Sequence, residues 1–169
     1  MWSNLLLMIL LIICVITDLK ERKIYNKVLF PFLFIAWIFH SITAGWSGLT
    51  GALLGTAVGL GILLIPYLLG GMGAGDVKLL AVIGGLKGIS FVLMASIYMA
   101  LAGGFMAILF ILYRKGFLKR LLYLMHGLRH GMRLSLLEEN ESVKTTLPYG
   151  VAIAAGAIFQ VYFPGALFQ

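Results

Sequence analysis

The fold class is decided by residues 2–23, which read WSNLLLMILLIICVITDLKERK. An apolar run from Trp2 to Thr17 is followed at once by a charged stretch, Asp18 to Lys23. A cleavable signal peptide has the opposite order, with positive charges before the apolar run and a small-residue cleavage site after it. We therefore predict a retained membrane helix. Its N-terminus should lie outside, because basic residues accumulate on the cytoplasmic side of a span.

The composition of the whole chain agrees with a membrane protein. Of the 169 residues, 62% are hydrophobic and only 11% are charged, and the mean hydropathy is +1.05. A soluble domain of this size needs more charge on its surface. We expect one compact membrane domain over residues 1–169. The formal net charge of +7 is better explained by membrane topology than by nucleic-acid binding.

Five further apolar runs follow the first one. They are Val28 to Ala44, Leu49 to Leu69, Leu79 to Leu86, Ile89 to Tyr113 and Leu147 to Phe163. The run from Leu79 to Leu86 is short for a span and also suits a re-entrant segment. Six crossings place nearly every basic residue inside and only Lys87 outside, whereas a re-entrant fourth run would move the basic loop outside. We therefore predict an all-α polytopic membrane protein of about six transmembrane helices, with both termini outside.

A basic segment, residues 114–144, precedes the last predicted helix. Its apolar residues recur at helical spacing, and basic residues fill much of the opposite side. This pattern is typical of a helix on the anionic inner surface of a membrane, although a partner-binding helix would have it too. We predict a basic amphipathic cytoplasmic segment. His126 and His130 are one turn apart without a third ligand nearby, so no metal site is predicted.

Glycines recur every four residues on the third predicted span, at Gly51, Gly55 and Gly59. Small residues at this spacing let helix backbones approach each other closely in lipid. We predict that these three glycines form a helix-packing contact and have no catalytic role.

Asp18 and Asp76 are the only aspartates in the chain, and both fall at a predicted cytoplasmic boundary of the membrane. The other acids lie in one polar loop or among basic residues: Glu21, Glu138, Glu139 and Glu141. An acid at a membrane boundary is costly enough to indicate a function. Asp76 follows a glycine-rich turn and also suits a helix cap, whereas Asp18 lies at the unfavourable end of a helix dipole.

Two carboxyl groups at the same depth suit peptide hydrolysis. When such groups lie within a few ångströms they hold one proton between them. The ionised member then activates water while the protonated member polarises the carbonyl group. The helix ends favour an ionised Asp76 and a protonated Asp18, but the basic residues after Asp18 favour the reverse, so the sequence leaves the assignment open. Gly73 and Gly75 keep the backbone before Asp76 bare, so that a substrate strand can come close.

Three motifs resemble the prepilin peptidases, the bacterial branch of the GxGD membrane aspartyl proteases. Gly73-Ala-Gly-Asp76, followed by Val77-Lys78-Leu79, matches the GxGD motif and its continuation. Asp18 and the later Ile24-Tyr25-Asn26 match the family's first aspartate and its Ile-Pro-Asn, with tyrosine in place of proline. Leu147-Pro-Tyr-Gly150 resembles the family's entry to the last span.

The resemblance implies an aspartyl endopeptidase of the bacterial cytoplasmic membrane, with Asp18 and Asp76 as catalytic residues. Its substrate would be a prepilin or pseudopilin, whose short basic leader is removed at the cytoplasmic face, and pilus assembly machinery is an implied partner. No metal or organic cofactor is implied. The residues that would bind substrate or shape the site are Asn26, Gly73, Gly75, Lys78, Pro148, Tyr149 and Gly150.

Larger bifunctional members of the same family carry paired cysteines and an N-methyltransferase activity, whereas this chain has one cysteine, Cys14. The chain therefore resembles the short, peptidase-only form that serves Flp (Tad-type) pili. Two alternatives remain open. A small transporter or proton-relay subunit would use the same carboxylates, although mid-membrane positions are more usual for that purpose. In a purely structural pilus-assembly scaffold, both aspartates would be helix caps.

Overall fold

The chain is helical throughout the part that the computed structural model describes, residues 2–113 and 149–164, with the backbone only for residues 110–113. The helices are α1 (Trp2–Glu21), α2 (Asn26–Leu68), α3 (Ala74–Lys87), α4 (Ile89–Tyr113) and α5 (Tyr149–Tyr162). No strand occurs among the described residues, so the predicted all-α class is confirmed for them. The predicted basic amphipathic segment and Pro148 lie outside the described residues.

Helix α2 consists of two arms that fold back on each other at Gly45. The Gly45 backbone has φ 61° and ψ −142°, a non-helical conformation that is open essentially to glycine alone. Trp37 Nε1 donates a hydrogen bond of 3.2 Å to Thr56 Oγ1, although 19 residues separate them. In one straight helix these residues would lie about 28 Å apart. The arms, residues 26–44 and 46–68, therefore run antiparallel and correspond to the second and third predicted runs.

Within the described part of the chain, three helices are long and apolar enough to cross a membrane, namely α1, α2 and the 89–109 part of α4. Helix α5 is apolar but shorter, and α3 has 14 residues. At about 1.5 Å per residue α3 is about 21 Å long, against a hydrocarbon core of about 30 Å. Length alone therefore does not establish six crossings, which stay a prediction.

Helix α3 lies at the centre of the bundle. Asp76, Val77 and every residue from Leu79 to Leu86 are buried. Helix α2 supplies the most extensive contact, and α1, α4 and α5 also pack against α3. A helix enclosed in this way explains why its sequence is apolar all round rather than on one face.

Small residues bring the second arm of α2 close to α3. A Cβ atom on Gly55 would overlap the carbonyl group of Gly84, and one on Gly59 would overlap that of Leu80. The predicted helix-packing contact is therefore confirmed for Gly55 and Gly59. It is wrong for Gly51, because a Cβ atom there would meet nothing within 4 Å.

Helix α5 packs mainly on α4. A Cβ atom on Gly156 would lie 2.5 Å from the backbone nitrogen of Met99, and the rings of Tyr98 and Phe159 are 4.7 Å apart. Helix α5 also contacts α1. The first residues of α5 reach the end of α1 through this packing.

Candidate active site

Asp18 is placed in the protein interior by the pattern of α1. The buried residues Leu7, Leu11 and Cys14 recur at spacings of three and four, and Asp18 continues the same stripe. Only 6% of the Asp18 surface is exposed. Helix α1 stops one turn later, where Arg22 adopts a left-handed φ of 51°.

Asp76 lies in the first turn of α3 and is 8% exposed. Gly73 donates its backbone N–H to Asp76 Oδ2 at 3.1 Å, and the Asp76 N–H donates to the Gly73 carbonyl group at 3.1 Å. The carboxylate therefore caps its own helix, as the alternative reading of the sequence expected. A Cβ atom on Gly73 would lie 3.3 Å from Asp76 Oδ2, so a larger residue would press on this carboxylate.

Both carboxylates line one cleft of about 340 Å³. One wall is the loop from α1 to α2 with the first residue of α2, residues 22–26, and the other is the glycine-rich turn before α3, residues 73–75. Asp18 and Asp76 come from the C-terminal end of one helix and the N-terminal end of another. The fold therefore brings together two buried acids that are 58 positions apart in the sequence.

Gly75 allows the two walls of the cleft to touch. A Cβ atom on Gly75 would lie 2.9 Å from Ile24 Cβ and 3.3 Å from the Ile24 carbonyl oxygen. The bare α-carbon is thus covered by the α1–α2 loop. The sequence reasoning expected a substrate strand at this position. The close approach that Gly75 permits is between two loops of the protein, and Gly75 also lines the cleft.

The side chains of Asn26 and Lys78 form a contact beside the cleft. Lys78 Nζ donates a hydrogen bond of 3.0 Å to Asn26 Oδ1, and its ammonium lies 5.8 Å from the ring centroid of Phe30. Asn26 lines the cleft, whereas Lys78 is not among its lining residues. The contact joins the start of α2 to the first turn of α3.

Gly150 lies directly against Asp18. A Cβ atom on Gly150 would be 2.6 Å from Asp18 Oδ2 and 3.0 Å from Asp18 Cγ. Gly150 and Val151 lie in the first turn of α5, and Asp18 Oδ2 makes no hydrogen bond within residues 2–113 and 149–164. Tyr149 begins α5 and is partly buried.

Sequence reasoning did not place Arg22 and Lys23 among the site residues, although it noted that the basic residues after Asp18 favour its ionised form. Arg22 and Lys23 line the cleft with Asp18, and their position next to that residue was the available signal. Tyr25 donates a hydrogen bond from its hydroxyl to the Glu21 carboxylate, which closes the loop on itself. This bond raises the pKa of the Tyr25 hydroxyl above its usual value. Glu21 therefore has a specific partner, beyond the charge balance that the sequence indicated.

No group of three or more histidine, cysteine, aspartate or glutamate side chains within the described part of the chain could hold a metal ion. Cys14 is buried one turn before Asp18 and forms no disulfide. Asp18 and Asp76 are the carboxylates among the residues that line the cleft.

A comparison with known protein families supplies an independent finding. Residues 5–118 match the type IV leader peptidase family. This chain belongs to that family. The matched residues of this type IV leader peptidase family member include both aspartates and every residue that lines the cleft, but not the start of α5. Family membership and the apolar helices together make the chain a membrane protein.

One curated relative of this family member is a prepilin leader peptidase/N-methyltransferase from Bacillus subtilis (strain 168). The two are 36% identical over 97 residues, which cover 56% of this chain and 38% of the relative. The match thus spans well under half of the relative's length. No solved structure matches this chain.

Proposed function

We propose that this protein is a membrane aspartyl endopeptidase that removes the short basic leader from prepilins or pseudopilins. The observation that carries the proposal is the shared cleft, in which Asp18 and Asp76 are both buried and face the same space. Membership of the type IV leader peptidase family and the name of the Bacillus subtilis relative support this substrate class.

The chemistry follows from two neighbouring carboxyl groups that hold one proton. The ionised group removes a proton from water, and the water oxygen attacks the carbonyl carbon of the scissile peptide bond. The protonated group donates its proton to the carbonyl oxygen, which gives a tetrahedral diol and inverts the protonation of the pair. The carbon–nitrogen bond then breaks as the leaving nitrogen takes up one proton and the diol returns the other.

The location of the chemistry follows from topology. With six crossings and both termini outside, Asp18 and Asp76 lie at the cytoplasmic edge of the bacterial inner membrane. Lys20, Arg22 and Lys23 then lie on the cytoplasmic side, in agreement with the positive-inside rule. A leader that remains in the cytoplasm while its helix enters the membrane would present its cleavage site at this depth.

A leader-cleavage assay tests the proposal. Wild type, Asp18→Asn and Asp76→Asn are co-expressed with a Flp-type prepilin, with Glu139→Gln as the carboxyl-to-amide control. We expect cleavage by wild type and the control, and a loss of about 10²–10⁴-fold or more in each aspartate variant, because each removes one member of the acid–base pair. Membrane insertion should be unchanged in all four.

Two results contradict the proposal. Retained cleavage by Asp18→Asn or Asp76→Asn would remove that residue from the catalytic pair. No cleavage of several prepilins by well-expressed wild type would favour the transporter or proton-relay alternative, which ion-flux measurements in vesicles then address.

A further inference from the structure

The two carboxyl groups of the cleft have different surroundings. Asp76 Oδ2 accepts one N–H, that of Gly73 in its own helix cap. The first turn of a second helix, α5, lies against the Asp18 carboxylate, since a Cβ atom on Gly150 would be 2.6 Å from Asp18 Oδ2. The surroundings therefore stabilise a negative charge to different degrees at Asp18 and at Asp76. This difference decides which of the two residues holds the shared proton.

The start of α5 favours a negative charge on Asp18. The first N–H groups of a helix have no acceptor within the helix, and the positive end of the helix dipole lies there. Such a terminus stabilises a carboxylate placed against it. Gly150 permits the close approach, since any side chain there would press on Asp18 Oδ2, 2.6 Å from the position of a Cβ atom.

A cation acts in the same direction. Arg22 lies one turn after Asp18, lines the same cleft and attracts its negative charge. Lys23 also lines the cleft. Cys14, Lys20 and Glu21 are the other titratable groups of α1 within one turn of Asp18, and the Glu21 carboxylate accepts its hydrogen bond from the Tyr25 hydroxyl. Asp76 is the acid that α3 contributes, and α5 contributes backbone amides.

Within residues 2–113 and 149–164, the hydrogen-bond donor to the Asp76 carboxylate is the Gly73 N–H of its own helix cap. Lys78, two residues further along α3, donates its hydrogen bond to Asn26 and is not among the residues that line the cleft. The strongest charge acting on Asp76 is the like charge of Asp18, which disfavours ionisation of both groups together.

On this basis we infer that Asp18 is the ionised member of the pair and that Asp76 carries the shared proton. The inference rests on the proposed function and assigns the two roles within it. Asp18 removes the proton from water as general base, and Asp76 donates its proton to the carbonyl oxygen. Gly150 is a positioning residue, which acts through Asp18 and lets α5 hold the charge there.

The amino-acid composition makes a direct test possible. Because the chain contains only two aspartates, labelling aspartate with ¹³C at the carboxyl carbon gives two side-chain signals for the whole protein in lipid nanodiscs. Spectra of Asp18→Asn and Asp76→Asn assign them. Between the two ionisation steps of the pair, we expect the Asp18 signal at the carboxylate position and the Asp76 signal at the carboxylic-acid position. The inference is overturned if Asp18 gives the carboxylic-acid signal and Asp76 the carboxylate signal, or if both chemical shifts lie midway between the two positions.

A second measurement tests the role of α5. In Gly150→Ala we expect the Asp18 signal to move toward the acid position at the same pH, and the Asp76 signal to move toward the carboxylate position. The control is Gly104→Ala on α4, where a Cβ atom meets nothing within 4 Å. Unchanged signals in a folded Gly150→Ala protein overturn the role of α5.

If Gly150→Ala does not fold, a substitution that removes a positive charge near Asp18 tests the inference instead. Arg22→Gln should move the Asp18 signal in the same direction, whereas Lys20→Gln, which changes the same charge at an exposed position outside the cleft, should not. Equal shifts in both variants overturn the inference. These signals are independent of cleavage, so a protein with the expected spectrum that never cleaves a prepilin refutes the proposed function alone.

Discussion

Lys87 at the end of α3 donates a hydrogen bond from its ammonium to Asn4 Oδ1 near the start of α1. The contact pairs the C-terminal end of α3 with the N-terminal end of α1, so the two helices run antiparallel. Asp18 then lies at the same end of the bundle as Asp76. The Lys87 ammonium also lies 5.0 Å from the ring centroid of Phe91, at the start of α4.

The contact between Lys87 and Asn4 should contribute to stability and not to catalysis. Replacing Asn4 with leucine removes the acceptor at the end of the bundle opposite the cleft. Because the pair is exposed, we expect a loss of about 1 kcal/mol or less in the free energy of unfolding and an unchanged kcat. Thermal unfolding in detergent and a cleavage assay measure the two quantities. A large loss of kcat in Asn4→Leu would mean that the two ends of the bundle are coupled.

The contact between Gly75 and Ile24 should be needed for activity. In Gly75→Ala the new methyl group would lie 2.9 Å from Ile24 Cβ, which forces the α1–α2 loop away from the turn before α3. Overpacking of this kind costs about 1–3 kcal/mol. We expect kcat to fall about tenfold or more, as the loop carries one wall of the cleft.

The matched control for that substitution is Gly61→Ala on α2, where a Cβ atom has open space. Its kcat should equal that of wild type in a steady-state cleavage assay. If Gly75→Ala cleaves as fast as Gly61→Ala, the contact between the two walls does not position the site.

Close packing between α2 and α3 predicts opposite effects for two glycines of the same arm. Gly55→Ala places a methyl group against the backbone of Gly84, and we expect a loss of about 1–3 kcal/mol in the free energy of unfolding. Gly51→Ala meets nothing and replaces a poor helix former, so a gain of about 0.5–1 kcal/mol is expected. Unfolding of the two variants under one set of detergent conditions gives the comparison. Equal stability of both would contradict the packing.

The Tyr25 hydroxyl should hold the α1–α2 loop in place. Tyr25→Phe removes the hydrogen bond to Glu21, whose net contribution is about 0.5–1.5 kcal/mol, and we expect kcat/KM to fall about two- to tenfold. Tyr25→Pro should recover most of that loss. The Tyr25 φ of −83° is close to the value that proline imposes, so the ring would fix the loop by another route. Steady-state cleavage kinetics give kcat/KM for the two variants. Equal losses of kcat/KM in both would show that the hydroxyl acts on the substrate rather than on the loop.

Most helices and the two aspartates that line the cleft could be picked out from the sequence, because those features depend on local patterns. Apolar runs mark α1, both arms of α2 and α4, and the glycine-rich turn marks the start of α3. Contacts between distant segments could not be predicted in this way. Nothing around Gly75 indicates that Ile24 covers it, and the position of Gly150 against Asp18 depends on how α5 packs on α1 and α4. Gly51 has the spacing of a packing glycine, but a Cβ atom there would meet nothing within 4 Å among the described residues, so spacing alone does not identify a helix contact.

The reversal at Gly45 has a consequence for how the chain enters the bilayer. From Val28 to Gly75 the sequence contains no lysine, arginine, aspartate or glutamate, so Lys27 is the only charged residue in the two arms of α2 and the turn between them. Each charged residue in the middle of a helix adds about 2.5–3.5 kcal/mol to the free energy of insertion. The hairpin avoids that cost. Lys27, at the start of the first arm, and Asp76, after the second arm, both remain on the side of the membrane from which the hairpin inserts. Insertion of the two arms together, as one unit, therefore requires no charge to be carried across the hydrocarbon core.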